Sequence, residues 1–168
     1  PDKHSNLNGK ELVKKKVKLL VSMAGRFPGG KEFNIEEDAA ASKYAFENWP
    51  TEIYFSGWEI GDKIKSGLPL IHDPSIRDSP VKDVFHISIP MAKQDSAGRM
   101  SWDQTAVLVG ILRYKPFYEL KPGRIIVRDD GSNLWNPEGK GHYYLVEAAP
   151  VKDVELLINK LMMHQPVK

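Results

Sequence analysis

A short apolar segment at residues 17–23, Val-Lys-Leu-Leu-Val-Ser-Met, constrains the fold of this chain more than any other feature. A turn-forming stretch at residues 24–30 follows it and contains three glycines and one proline. A run this short and this rich in branched side chains is typical of a strand that is buried on both faces of a sheet. Because helices must cover both faces of such a sheet, the sequence predicts an α/β fold.

Patterns typical of helices and strands alternate along the rest of the chain. That order is typical of parallel strands joined by helices, so we predict a Rossmann-like mixed, mostly parallel sheet with flanking helices. Residues 69–78 are predicted to form a loop. Helices are predicted at residues 36–49, 59–65, 80–89, 102–113 and 151–162, and strands at residues 51–56, 123–128 and 142–148.

Composition and charge exclude several classes of protein. The 168 residues fit one domain or part of one, and 24 basic against 22 acidic side chains give a formal net charge of +2. A chain built mainly to bind nucleic acid usually has a larger basic surplus. The lack of cysteine excludes disulfides, thiolate metal sites and cysteine nucleophiles, and it leaves the cellular compartment open. No apolar run approaches the roughly 20 residues that cross a bilayer. From the charge balance we therefore expect no nucleic acid as partner, and from the short apolar runs we expect no membrane.

Two polar residues follow the first predicted strand, where open α/β sheets bind their ligands. In an extended segment Glu32 and Asn34 point to the same side, and Phe33 points into the core. Such a carboxylate and amide can bind neighbouring hydroxyls of a polyol such as ribose. The alternative is a structural role, with Glu32 as a solvated charge and Asn34 as the cap of the following helix.

A second candidate group opens the helix at residues 102–113. Ser101 and Gln104 have the spacing of a capping box, and the helix is apolar on nearly all sides, which predicts burial. Asp103 then needs donors, a cation or water as compensation, unless it bonds to N–H groups of its own turn. Trp102 beside it is either a stacking surface for a ligand or a core residue.

Two further motifs are weaker. The glycine and lysine spacing of residues 25–32 matches a phosphate-binding loop, but Glu32 replaces the required hydroxyl, and Pro28 removes a backbone donor. A glycine-rich turn is the favoured alternative. His72 and Asp73 could form an acid-base pair, although an isolated pair of this kind is usually part of a polar loop.

Three segments together resemble the inosine-uridine-preferring nucleoside hydrolases. In that family the first is a strand that ends in a Met-Gly-Gly-like turn, the second is a Glu-Phe-Asn motif before an alanine-rich helix, and the third is a helix start similar to His-Asp-Pro. Their order and spacing agree with the family. The segments are Leu-Leu-Val-Ser-Met-Ala-Gly at 19–25, Lys-Glu-Phe-Asn-Ile at 31–35 followed by Asp-Ala-Ala at 38–40, and Ser-Trp-Asp-Gln-Thr-Ala-Val at 101–107.

The resemblance implies hydrolysis of the N-glycosidic bond of ribonucleosides with a bound calcium ion. It implies that Glu32 and Asn34 hold ribose hydroxyls, that Met23 flanks the sugar, and that Asp103 is a calcium ligand. Trp102 stands where several members have the histidine that protonates the leaving base, so it is the candidate catalytic residue. Calcium takes oxygen ligands and can acidify a water for attack on the anomeric carbon.

The resemblance also implies an incomplete domain. The family's aspartate-rich N-terminal motif, which supplies most calcium ligands and the base that activates water, has no counterpart here. We therefore expect residues 1–168 to be a single domain that forms the C-terminal half of the hydrolase fold, with the missing N-terminal half as its partner and no turnover by the isolated chain. The start at Pro1, without an initiator methionine or a signal peptide, agrees with this expectation. The main alternative is a non-catalytic nucleoside- or sugar-binding homologue, and homo-oligomer formation is left open.

Overall fold

The computed structural model of the chain describes residues 3–165, so Pro1 lies outside the described residues. The helices are α1 (Gly9–Lys16), α2 (Phe33–Glu37), α3 (Ala39–Asn48), α4 (Trp58–Gly61), α5 (Leu68–His72), α6 (Pro80–Ser88), α7 (Trp102–Leu112) and α8 (Val151–Met162). The strands are β1 (Leu19–Met23), β2 (Gly29–Lys31), β3 (Glu52–Ser56), β4 (Lys65–Ser66), β5 (Arg99–Met100), β6 (Tyr118–Val127), β7 (Ser132–Asn136) and β8 (His142–Glu147).

Six of the strands form one mixed sheet in the order β1-β3-β8-β6-β7-β2. The strands β1, β3 and β8 run parallel to one another, and β6, β7 and β2 continue the sheet by antiparallel pairing. The short strands β4 and β5 form a separate antiparallel pair. The predicted α/β class, with a mixed sheet and flanking helices, is confirmed.

The two faces of the sheet are covered by different helices because side chains of a strand alternate between the faces. Ile53 and Phe55 of β3 enter a core that includes Phe46 of α3. Tyr54 packs against the opposite core, which contains Val109 of α7 and further residues of α4 and α8. A third cluster joins α5, α6 and the end of α8. Within residues 3–165, no helix has the length and apolar character needed to span a membrane.

The structure differs from the sequence-based expectation in several elements. The predicted helix at residues 36–49 is divided at Asp38 into the end of α2 and α3, β6 begins at Tyr118 rather than at residue 123, and β2, β4, β5 and β7 were not predicted. Residues 69–78 are not all loop, because α5 forms where Leu70 is fully buried against α6. The helix α7 is not buried on all sides: Val107, Ile111 and Leu112 are exposed, since none of the described elements covers its outer face. The amphipathic division of α7 is weak, so its sequence pattern does not show which side faces outward.

Candidate functional site

A cleft of about 400 Å³ lies at the carboxyl ends of β1 and β3. This is the edge of the sheet at which α/β proteins usually bind ligands. The cleft brings together all five residues that the sequence analysis selected, although they come from three separate segments. It is lined by Met23, Glu32, Phe33, Asn34, Trp58, Arg99, Trp102 and Asp103.

Glu32 lines the cleft and also stabilises the backbone around it. Its carboxylate accepts hydrogen bonds from the Asn34 N–H and the Gly25 N–H, both at 2.9 Å, and it caps α2. Glu32 is buried, so the alternative of a solvated charge is wrong. The expected extended segment is also wrong, because the cap starts a helix at Phe33 and leaves that ring 68% exposed.

Asn34 is joined to the end of β1. Its side-chain amide donates to the Met23 carbonyl and to the Met23 sulfur, both at 3.1 Å. Asn34 does not cap the next helix, because Asp38 caps α3. The side-chain oxygen Oδ1 of Asn34 accepts no hydrogen bond within residues 3–165. Each Glu32 carboxylate oxygen can accept one hydrogen bond more than it does here. The cleft therefore presents acceptors suited to ligand hydroxyls.

Trp102 is fixed at the junction of α4 and α7. Its indole N–H donates to the Trp58 carbonyl at 3.1 Å, so this N–H is already engaged. The predicted capping box does not form, because the Ser101 hydroxyl donates instead to the Ser66 hydroxyl at 2.7 Å. The indole of Trp102 thus offers the cleft an apolar surface rather than a proton donor.

Asp103 is exposed in the first turn of α7 and lines the cleft. Its carboxylate has no hydrogen bond or ion pair among the described residues, so it does not bond to N–H groups of its own turn. In residues 3–165 there is no group of three or more His, Cys, Asp or Glu residues that could hold a metal ion. Because Ca²⁺ takes six to eight oxygen ligands, the described residues alone do not form a calcium site.

Sequence analysis missed Arg99, which lines the cleft beside Trp102. The Arg99 guanidinium lies 5.5 Å from the centre of the Trp102 ring and forms an ion pair at 3.0 Å with Asp95. Asp95 is buried at 2% exposure, which is unusual for a carboxylate and depends on this partner. The one sequence signal was an arginine two residues before the third resembling segment.

The turn after β1 is held by residues distant in sequence, which the local patterns could not indicate. Asn133 accepts a hydrogen bond from the Arg26 N–H and donates to the Arg26 carbonyl, at 2.9 and 2.8 Å. Glu59 accepts from the Phe27 N–H at 3.2 Å, and burial raises the pKa of its carboxyl group. These contacts fix the turn beside Glu32.

The two weaker motifs do not form sites in the structure. The phosphate-loop spacing does not give such a loop, because Gly29–Lys31 is strand β2 and pairs with β7. His72 ends α5, and the Asp73 carboxylate accepts from the Ser75 N–H and hydroxyl, at 2.8 and 2.6 Å. These hydrogen bonds lower the pKa of Asp73, as expected for a polar loop.

Comparison with known proteins gives no family for this chain. No protein-family model matches it, and no curated protein matches it significantly. Support for a function therefore comes from the geometry of the cleft and from the three resembling segments.

Proposed function

We propose that the protein is the C-terminal portion of a calcium-dependent nucleoside hydrolase that cleaves ribonucleosides into ribose and base. The observation that carries the proposal is the common cleft: Met23, Glu32, Asn34, Trp102 and Asp103 all line it.

The proposed roles follow from the groups each residue presents. Glu32 and the Asn34 carbonyl oxygen accept hydrogen bonds from two ribose hydroxyls, and Met23 packs beside the sugar. Trp102 contributes an aromatic wall against the base. Hydrogen bonds to the ribose that strengthen as the anomeric carbon becomes cationic favour the transition state over the bound substrate.

The calcium ion of the proposal needs ligands from the missing N-terminal half. Asp103 has an uncommitted carboxylate at the cleft, which is suited to a hard cation. The remaining oxygen ligands would come from the added polypeptide, and so would the base that activates water. When bound, the ion would supply an acidified water, and the described residues would bind the sugar.

The exposed edge of the sheet supports the proposal that a further segment of the protein completes this sheet. Strand β1 ends the sheet, and its only partner among the described strands is β3. A groove of about 470 Å³ lies between β1 and the outer face of α7, where Val107 and Ile111 are exposed. A strand added parallel to β1 would end beside Met23, because parallel strands finish at the same edge. Its carboxyl end would therefore supply groups to the cleft.

An assay of nucleoside cleavage tests the proposal. Inosine and uridine are incubated with the isolated chain and with the full-length protein, each with Ca²⁺ or with a chelator, and ribose release is measured. We expect release only from the full-length protein with Ca²⁺. Turnover by the isolated chain would contradict the requirement for a missing half.

The alternative of a non-catalytic nucleoside- or sugar-binding protein is supported by one observation. The Trp102 N–H is engaged by the Trp58 carbonyl, and no histidine lines the cleft to protonate a leaving base. Calcium-dependent ribose release by the full-length protein would exclude this alternative. Nucleoside binding without release would favour it.

A further inference from the structure

We infer that Arg99 binds the base of the ligand, and that it recognises the paired acceptors O6 and N7 of a 6-oxopurine. The inference rests on the nucleoside-binding function proposed above. It assigns a ligand contact to a residue outside the three resembling segments.

The ion pair with Asp95 fixes the position of Arg99 but uses only one end of its guanidinium. Nη1 donates to both Asp95 carboxylate oxygens, at 3.0 and 3.3 Å. Nε and Nη2 have no hydrogen-bond partner within residues 3–165. Arg99 lines the cleft, and its Nε and Nη2 edge is a planar pair of donors that no described residue engages.

The charges of the cleft favour a neutral ligand. Buried Asp95 neutralises Arg99, whereas the Glu32 and Asp103 carboxylates also line the cleft. A phosphate group would therefore approach two negative charges without a free cation to balance them. A neutral base with two adjacent acceptors can use the directional donors of Arg99 without this repulsion.

The chemistry of the donor pair selects the base. Arginine makes two parallel hydrogen bonds to O6 and N7 of a 6-oxopurine, an arrangement known from guanine recognition. Inosine presents both acceptors, and 7-deazainosine lacks N7 but keeps the same sugar and the same O6. The ratio of their dissociation constants therefore reports on the hydrogen bond to N7, and the comparison with Arg99→Lys assigns that bond to Arg99.

Isothermal titration calorimetry on the chain as it exists tests the inference. We expect inosine to bind about tenfold more tightly than 7-deazainosine, and we expect Arg99→Lys to reduce this ratio to about one. Lysine keeps a cation beside Asp95 but lacks the planar donor pair, and thermal unfolding checks that the variant is folded. Arg26→Lys is the matched control, because Arg26 stacks on Trp58 at 4.4 Å without lining the cleft. It should leave the ratio unchanged.

The other outcomes separate the two proposals. Equal binding of inosine and 7-deazainosine by the unmodified chain would overturn the role of Arg99 and leave the proposed function intact, whether or not Arg99→Lys folds. Tighter binding of inosine 5′-monophosphate than of inosine would contradict the preference of the cleft for a neutral ligand and with it the proposed role of Arg99. Failure of both ribose and inosine to bind the full-length protein in the presence of Ca²⁺ would overturn the proposed function as well.

Discussion

His142 is a histidine that the fold holds in its neutral form. It is 2% exposed at the start of β8, and its Nδ1 accepts a hydrogen bond from the Ile125 N–H at 3.4 Å. Burial, together with the nearby Arg124 cation, lowers the pKa of the imidazole to about 4. Protonation of Nδ1 would place a charge in the core and remove this hydrogen bond.

The lowered pKa of His142 predicts a loss of stability in acid. Between pH 6.5 and about 4 the unfolded chain binds a proton that the folded chain does not, so the free energy of unfolding falls as pH decreases through this window. Each pKa unit is worth about 1.4 kcal/mol. Urea unfolding at several pH values should give a shallower decline for His142→Gln than for the unmodified protein. Parallel pH profiles would contradict the prediction.

The contact between α4 and α7 positions the cleft, and it depends on a glycine. A Cβ atom at Gly61 would collide with the Cα of Trp102 and lie 2.7 Å from its backbone nitrogen. The Ser101 N–H also donates to the Gly61 carbonyl at 3.2 Å, so the two helix ends cannot easily separate. The start of α7, with Trp102 and Asp103, is therefore set by the absence of a side chain on α4.

Gly61→Ala is expected to destabilise the protein by about 1–3 kcal/mol, because the added methyl group forces α7 away from α4. Gly110→Ala in the same α7 is the matched control, since the nearest atom to its Cβ would be 4.0 Å away. That change should stabilise the helix by about 0.5–1 kcal/mol. Denaturant unfolding measures both variants, and a Gly61→Ala protein as stable as the Gly110→Ala protein would contradict this account.

Local sequence patterns predict most helices and the parallel strands, but not the strands whose formation depends on distant partners. Only the second half of the ten-residue β6 was predicted. The apolar run that becomes β1 carries its own signal, and so does most of the helix predicted at residues 36–49, which forms as α3 after a break at Asp38. The strands β2, β4 and β5 have two or three residues each, so they depend on partners distant in the sequence. The same limit applies to the cleft: five residues could be selected from motifs, whereas Arg99 is recognised only through its contacts.

At the scale of the whole molecule, the outer face of α7 is an apolar surface without a cover among the described residues. Ile111 is 73% exposed and lines the grooves on both sides of this helix. Lys18 and Arg113 line the groove beside β1, which favours an acidic segment as the occupant and disfavours a second copy of the same basic surface. The proposed N-terminal half is therefore expected to cover this face.

Ile111→Lys should leave the isolated chain as stable as before, within about 0.5 kcal/mol, because the side chain is exposed. It should weaken association with the separately produced N-terminal half at least about tenfold, since a charge would enter an apolar interface. Leu156→Lys is the control: this residue is 59% exposed on α8 and lines neither groove. Calorimetric titration measures both, and equal affinities would contradict the proposed cover.

The two edge strands of the sheet differ in a way that limits self-assembly. Fibrils that grow by strand addition need an edge strand that can pair with another molecule at both edges of the sheet in every subunit. In this sheet one edge strand is the five-residue β1. The other is the three-residue β2, which contains two glycines and is therefore a poor template for pairing. Aggregation through β1 would thus stop at pairs of molecules instead of extending into polymers.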